Sequence, residues 1–404
     1  MFKWVVVQLV PDLFDNCYPN HLNLFCCYTA SHLFKKNNGV KKIMTKRVYN
    51  FYPGPATLPL PVLKKAQEEL LDYNGTGMSV MELSHRSKEY NDLHTEASNL
   101  VKELMNLPDE YHVLWMQGGA STQFYMVPVN LKTEGKPMEY VNTGAWAKKA
   151  IKEAKLYGEV NIVASSEDGN FSYIPENIEF SDNAAYAHIT GNNTIYGTEY
   201  HEWPKTPDDV PLVCDMSSNI MDKVIDPKKF GVIYAGAQKN LGPAGTTLVI
   251  VREDLLDRVP ENTPTMQKWK THAEKNSLFN TPPCWAIYIC KLSLEHSKNL
   301  GGVPALEKIN RKKAKILYDV IDKSNGFYKG HAKPESRSLM NVTFNLQTPE
   351  LEEKCVKEAF ERGLVGLKGH RSVGGMRASI YNAMTIEGVE ALAEFMKEFQ
   401  EENQ

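Results

Sequence analysis

The chain has 404 residues, 42% of them hydrophobic and 24% charged, an ordinary globular composition that excludes a fibrous or wholly disordered protein. Its 46 basic and 49 acidic residues leave a net charge of −3, too even a balance for the broad positive field that nucleic acid binding requires. No run reaches the roughly 18 apolar residues of a membrane helix, and the seven cysteines show no Cys-x-x-Cys or Cys/His spacing, which reads as reduced thiols in a cytoplasmic setting with no metal site.

Residues 1–43 differ in texture from the rest of the chain. The apolar run Trp4–Val10 is interrupted by Gln8 and stopped by Pro11 and Asp12, without the small-residue cleavage site of a signal peptide. A transit peptide would be rich in arginine, yet the first arginine is Arg47. The expectation is a disordered extension, with Met44 as an internal start and organellar targeting left open.

From Asn50 the punctuation becomes regular. "NFYPGPATLPLP" is extended, and Pro61 opens a helix through "VLKKAQEELLDYN" with Gly75 as its stop. Strand-like runs then alternate with helical ones: 112–116, 140–144, 160–164, 184–190, 211–215, 231–236 and 246–251. Such alternation predicts an α/β fold, a mostly parallel seven-stranded sheet flanked by helices, with ligands at the carboxyl ends of the strands. After residue 304 a long helix, a short strand, another helix and the run "MRASIYNA" predict a smaller α+β domain. The last helix carries Val389, Leu392, Met396 and Phe399 on one stripe. The expected division is a large domain over 58–304 and a small one over 44–57 and 305–404.

Three constellations carry chemistry. In "LWMQGGASTQF" an apolar strand empties into Gly118, Gly119, Ala120 and Ser121 before a helix, a turn suited to a phosphate and equally to tight chain reversal. Asp215 stands at the exit of "LVCD", where it serves either as a helix cap or as a partner for a cation. The next strand aims Lys239 of "VIYAGAQKNLGPAG" at the same crevice, among residues small enough to leave room for a bound group. A phosphate turn, a carboxylate and an approachable lysine are the parts of a pyridoxal phosphate site, for which Trp146 offers a flat ring. His85 and Arg86, with His370, Arg371 and Arg377, form two basic clusters suited to a substrate with two anionic ends.

From Val48 to Glu398 the chain resembles the phosphoserine aminotransferase family of fold-type I pyridoxal-phosphate transferases, through "NFYPGPATLP", "SVMELSHRSKEY", "TGAWAKKAIKEAK", "VCDMSSN", "GVIYAGAQKNLGPAG", "FNTPPCWAIY" and "LKGHRSVGGMRASIYNA". The resemblance implies pyridoxal 5′-phosphate as cofactor and amino transfer between L-glutamate and 3-phosphohydroxypyruvate. It implies Lys239 as the catalytic lysine that carries the cofactor, Asp215 on the pyridine nitrogen, Trp146 against the ring and Thr194 on the phenolic oxygen. Ala120, Ser121 and Gln238 would hold the phosphate, completed by Asn280 and Thr281 from the neighbouring subunit of a homodimer. Arg86 and Arg377 resemble carboxylate grips, with His85, His370 and Arg371 near the substrate phosphate. Ser121 stands where some members have arginine and Pro53 where some have serine, so no cation is expected at the phosphate turn and no substrate contact at Pro53. Two rival readings are a sulfur-mobilising enzyme using Cys284 and a non-catalytic nucleotide binder using the Gly118 turn.

Overall fold

The computed structural model describes residues 47–404; the expected extension over 1–43, its start at Met44 and its targeting lie outside the described residues. Seven strands form the main sheet: β1 (Tyr111–Gln117), β2 (Met138–Asn142), β3 (Val160–Ser165), β4 (Tyr186–Thr190), β5 (Leu212–Asp215), β6 (Val232–Gly236) and β7 (Thr246–Arg252). Their spatial order is β1-β7-β6-β5-β4-β2-β3. β7 is antiparallel to both its neighbours and every other pairing is parallel. The carboxyl ends of β1 to β6 therefore share one edge, as the sequence pattern predicts, and the loops leaving that edge build the site. Burial on both faces explains why these strands read as continuous apolar runs rather than alternating ones: every residue of β2, β4, β5 and β6 is buried.

Two features depart from the predicted alternation. No α-helix separates β3, β4, β5 or β6 from the strand that follows it; the chain after β4 instead forms a short hairpin pairing Asn192–Asn193 with Thr198–Glu199. The predicted helix from Pro61 to Gly75 spans only Leu60–Glu68. Beyond it the chain turns, Gly77 N–H donating to Asp72 Oδ1 at 2.7 Å and Tyr73 N–H to Met78 O at 2.9 Å. Tertiary packing overrides the helical pattern there: buried Tyr73 stacks edge-on against Tyr288 at 5.7 Å.

A second sheet holds β8 (Lys329–Gly330), β9 (Asn341–Asn345) and β10 (Met376–Ser379), antiparallel in that order. Helices Gly302–Asp322, Pro349–Glu361 and Ile386–Asn403 accompany it, the last two started by Thr348 and Thr385 side chains that accept main-chain N–H groups. Val389, Leu392, Met396 and Phe399 are all buried in the core of this region, as their spacing predicts, and Phe51 joins them from the N-terminal segment. Val48–Gln404 form one compact unit.

Candidate active site

Asp215 ends β5 opposite Tyr234 of β6, so the chain leaving β6 carries Lys239 into the crevice beside it. Lys239 lines a pocket and is partly exposed, yet protein crowds its amine: Nζ donates to Thr194 Oγ1 at 2.6 Å and lies 5.3 Å from the centre of the Trp146 ring. Burial pushes its pKa down to about 8; Asp215 opposes the shift and Arg377 adds to it. An amine held there is about one-tenth deprotonated at pH 7, on the order of a few hundred times more than a free lysine. Burial pushes the Asp215 carboxyl up, while the Ser217 hydrogen bonds, including a 2.9 Å main-chain bond to Oδ1, and Lys239 pull it back.

The turn after β1 carries Ala120 and Ser121 as expected, with one difference. Ala120–Thr122 is a single 3₁₀ turn and the α-helix begins only at Gln123. Thr122 N–H bonds Gly119 O at 3.0 Å and Gln123 N–H bonds Ala120 O, which leaves the Ala120 and Ser121 N–H groups without a main-chain acceptor. Across the pocket, Trp146 sits in the first turn of helix Ala145–Ala154, which starts after Gly144 at φ 145°. A Cβ on Gly144 would come within 2.0 Å of Asn193 Nδ2. That Nδ2 donates to Thr143 O at 2.6 Å, tying the Trp146 loop to the hairpin that carries Thr194.

Ala120, Ser121, Trp146, Asp215, Gln238 and Lys239 line one pocket together with Thr190. Three polar atoms of these residues, Gln238 Oε1, Trp146 Nε1 and Thr190 Oγ1, are buried without a hydrogen-bond partner. A Cβ on Gly236 would press on Gln238 and Ala120 at 2.9 and 3.3 Å. Buried polar groups of this kind normally find partners, so a polar, flat ligand with a phosphate fits what the pocket lacks.

Arg377 lies on β10 and is buried, yet its guanidinium makes only a 3.3 Å bond from Nη1 to Thr194 O, with Nε unpartnered. Burial lowers its pKa. A buried guanidinium with idle donors is suited to a carboxylate. His370 is held below its usual pKa by burial first, then by the charges of Arg377, Arg371 and Lys149; it and Arg371 line a separate pocket with Glu352 and Phe360 rather than the pocket of Lys239. Lys149, whose Nζ lies 4.3 Å over the Trp146 ring, was not predicted; its place one turn after Trp146 on an amphipathic helix was the available signal. Arg371 is exposed.

His85, Arg86, Asn280 and Thr281 are not brought to this pocket. Thr281 Oγ1 meets His85 Nδ1 at 3.2 Å, and Thr281 O accepts from Gln117 Nε2 at 2.6 Å; Arg86 is exposed. They form a second cluster near the base of the turn after β1. Cys284 is half-buried, its thiol pKa raised by burial and its Sγ spent on Pro282 O, which disfavours the reactive thiolate that a sulfur-mobilising enzyme needs. Among the described residues no His/Cys/Asp/Glu group could hold a metal, and no helix is long and apolar enough to cross a membrane.

The fold and site define a pyridoxal-phosphate-dependent aminotransferase, and residues 48–392 match the model of the aminotransferase class-V family; the chain belongs to that family. It is 58% identical over 356 residues to the phosphoserine aminotransferase of Geobacillus kaustophilus, covering 88% of this chain and 98% of the relative. It is 54% identical to that of Bacillus subtilis, covering 89% and 100%. Among solved structures, phosphoserine aminotransferase from Bacillus circulans subsp. alkalophilus superimposes with a TM-score of 0.88 at 50% identity, covering 89% of this chain and all of that one. The pyridoxal-phosphate-bound enzyme of Trichomonas vaginalis gives 0.82 at 38%, covering 87% and 100%.

Proposed function

We propose that this enzyme moves an amino group between L-glutamate and 3-phosphohydroxypyruvate, giving 2-oxoglutarate and O-phospho-L-serine. The observation that carries the proposal is the crowded Lys239 amine, its pKa lowered by burial, bonded to Thr194 and facing the Asp215 charge, in a chain whose full-length relatives bear this name. Pyridoxal phosphate bound at Lys239 supplies the electron sink that makes the substrate α-proton removable. Lys239 would hold the cofactor through its amine and, once the incoming substrate amine has displaced it, would serve as the general base that removes and redelivers that proton. Thr194 Oγ1 orients the amine; Asp215 would keep the pyridine nitrogen protonated, Trp146 would pack against the ring, and Ala120, Ser121 and Gln238 would hold the phosphate.

Arg377 grips the α-carboxylate that both substrates share. His370 and Arg371, on the loop before β10 and close enough to Arg377 for its charge to act on His370, would receive either the side-chain carboxylate of glutamate or the phosphate of the keto acid. His85 and Arg86, with Asn280 and Thr281, serve the site of a second copy, so the active form is a homodimer with shared sites. Their grouping away from Lys239 supports this, as do exposed Met81 and Phe279 on the same two segments. This substrate pair belongs to serine biosynthesis, and the reduced-thiol reading of the cysteines supports a cytoplasmic setting. The burial of Phe51 among residues from 314 onward supports grouping 44–57 with 305–404 as a small domain beside 58–304. A coupled assay offering glutamate with phosphohydroxypyruvate, pyruvate, oxaloacetate or glyoxylate tests the proposal. Preference for the phosphorylated acid by about 10²-fold or more is expected, since a site built around a charged group rejects partners lacking it; equal turnover of pyruvate would defeat it.

A further inference from the structure

We infer that three asparagines, Asn240, Asn382 and Asn310, form a hub that registers Asp215, Lys239 and Arg377 on one another, making them positioning residues for transamination. The inference rests on the reading that Lys239 moves the proton and Arg377 holds the α-carboxylate. These two groups stand on different sheets: Lys239 follows β6 and Arg377 lies within β10. Something besides strand pairing must fix their separation.

The hub is centred on the loop after β5. Three consecutive carbonyls there each accept a side-chain amide from a different segment. Ile220 O accepts from Asn240 Nδ2 at 2.6 Å, Met221 O from Asn382 Nδ2 at 3.0 Å and Asp222 O from Asn310 Nδ2 at 2.9 Å. Asn240 follows Lys239, Asn382 lies three residues beyond β10, and Asn310 projects from helix Gly302–Asp322. The asparagines also bond one another: Asn382 N–H donates to Asn240 Oδ1 at 2.8 Å, and Asn310 Nδ2 to Asn382 Oδ1 at 2.7 Å. Met221 sits at φ 57°, a left-handed conformation that a long side chain adopts only when its surroundings compel it. The loop itself descends from Asp215 and Ser217, so all three chemical groups converge on it.

Lys313 backs the hub. It lies one turn after Asn310, and both are fully buried. Its Nζ donates to Ile380 O at 2.8 Å, Tyr381 O at 2.7 Å and Met384 O at 3.1 Å. An ammonium has three protons and here meets three carbonyls, pinning the segment that carries Asn382. A buried lysine with carbonyls and no carboxylate is costly, and holding this segment explains its presence. The aim of a reacting group matters at this scale, since a misplacement of about 1 Å can cost about 10²-fold in rate.

The test uses the holoenzyme and the variants Asn240→Ala, Asn310→Ala, their double and Lys313→Met. It measures kcat and KM for glutamate, melting temperature and hydrogen exchange at the Asn382 amide. Each single variant is expected to lower kcat by about 10- to 100-fold while KM moves about 3-fold or less. The double is expected to lose less than the product of the singles, because they share one hub. Asn240→Ala should also speed exchange at Asn382. A lowered melting temperature with kcat within about 2-fold of wild type in both single asparagine variants would reduce the hub to a structural role and overturn the inference. Unchanged exchange at Asn382 in Asn240→Ala would overturn it as well. If wild type itself fails to transaminate, the functional reading falls, whereas the exchange measurement still judges the tie.

Discussion

Two lysines packed within the same fold meet opposite fates. Lys223 is buried, and burial works against its charge, but Glu199 and then Asp222 outweigh that cost, so its pKa rises. Its Nζ meets Glu199 Oε1 at 2.6 Å and Tyr200 O at 2.5 Å, and the second Glu199 oxygen accepts from Leu339 N–H at 2.8 Å. Lys239 has only the Thr194 hydroxyl within hydrogen-bond reach of its amine and the Asp215 charge farther off, so burial wins and its pKa falls to about 8. The side-chain type is shared and burial disfavours the charge of both; the partner decides whether a lysine is a fixed cation that joins segments or a base available for chemistry.

The contrast is broken most severely at the reactive lysine. Lys239→Ala should lose transamination by about 10⁴-fold or more, together with the visible absorbance of the bound cofactor; retained turnover in the assay would refute its assignment. At the paired lysine the loss is in folding. Lys223→Met leaves the Glu199 and Asp222 carboxyls buried together without a cation, which should cost about 3 to 5 kcal/mol in urea unfolding. In that variant both carboxyls have folded pKa values above their unfolded ones. Its deficit should therefore shrink as pH falls toward 4 and grow as pH rises, and a deficit independent of pH would contradict the pairing.

Smaller and opposite in sign is Lys239→Met measured on the cofactor-free protein. The folded pKa of Lys239 lies below its unfolded value near 10.5, so wild type loses stability as pH falls through the interval between 10.5 and 8. The variant should be more stable at pH 7 by about 2 kcal/mol, allowing for solvent screening in the pocket, and equal to wild type above pH about 10.5. On the same cofactor-free protein, the rate of Lys239 modification by an amine-selective reagent should rise with a midpoint near pH 8 rather than 10.5. The least effect belongs to an exposed pair: Lys315→Ala, which breaks the i,i+4 bridge to Asp319, should change the unfolding free energy by about 0.5 kcal/mol or less.

Much of the central crevice was legible before folding. Asp215 ends β5 and Lys239 lies three residues beyond the end of the neighbouring parallel strand β6, and each strand announced itself as a short apolar run, so their convergence follows from local pattern plus the rule that parallel strands share an exit edge. Trp146 and the Ala120–Ser121 turn follow the same logic. Thr194 does not, since it rides on a hairpin where a helix was expected, and only the family resemblance pointed to it. The early end of the first helix at Glu68 is illegible for a related reason: the contact that ends it, Tyr73 on Tyr288, joins residues far apart in sequence.

The sequence by itself determined the layered α/β plan, the buried stripe of the last helix and the chemical parts of the crevice, because these depend on short-range periodicity and turn chemistry. Tertiary structure alone decided that His85 and Thr281 face each other away from Lys239, and that Asn240, Asn310 and Asn382 meet on three adjacent carbonyls. No periodicity links such residues; they are joined by hydrogen bonds that form only after the two sheets have packed, where a buried amide has no water left to bond and must find a carbonyl.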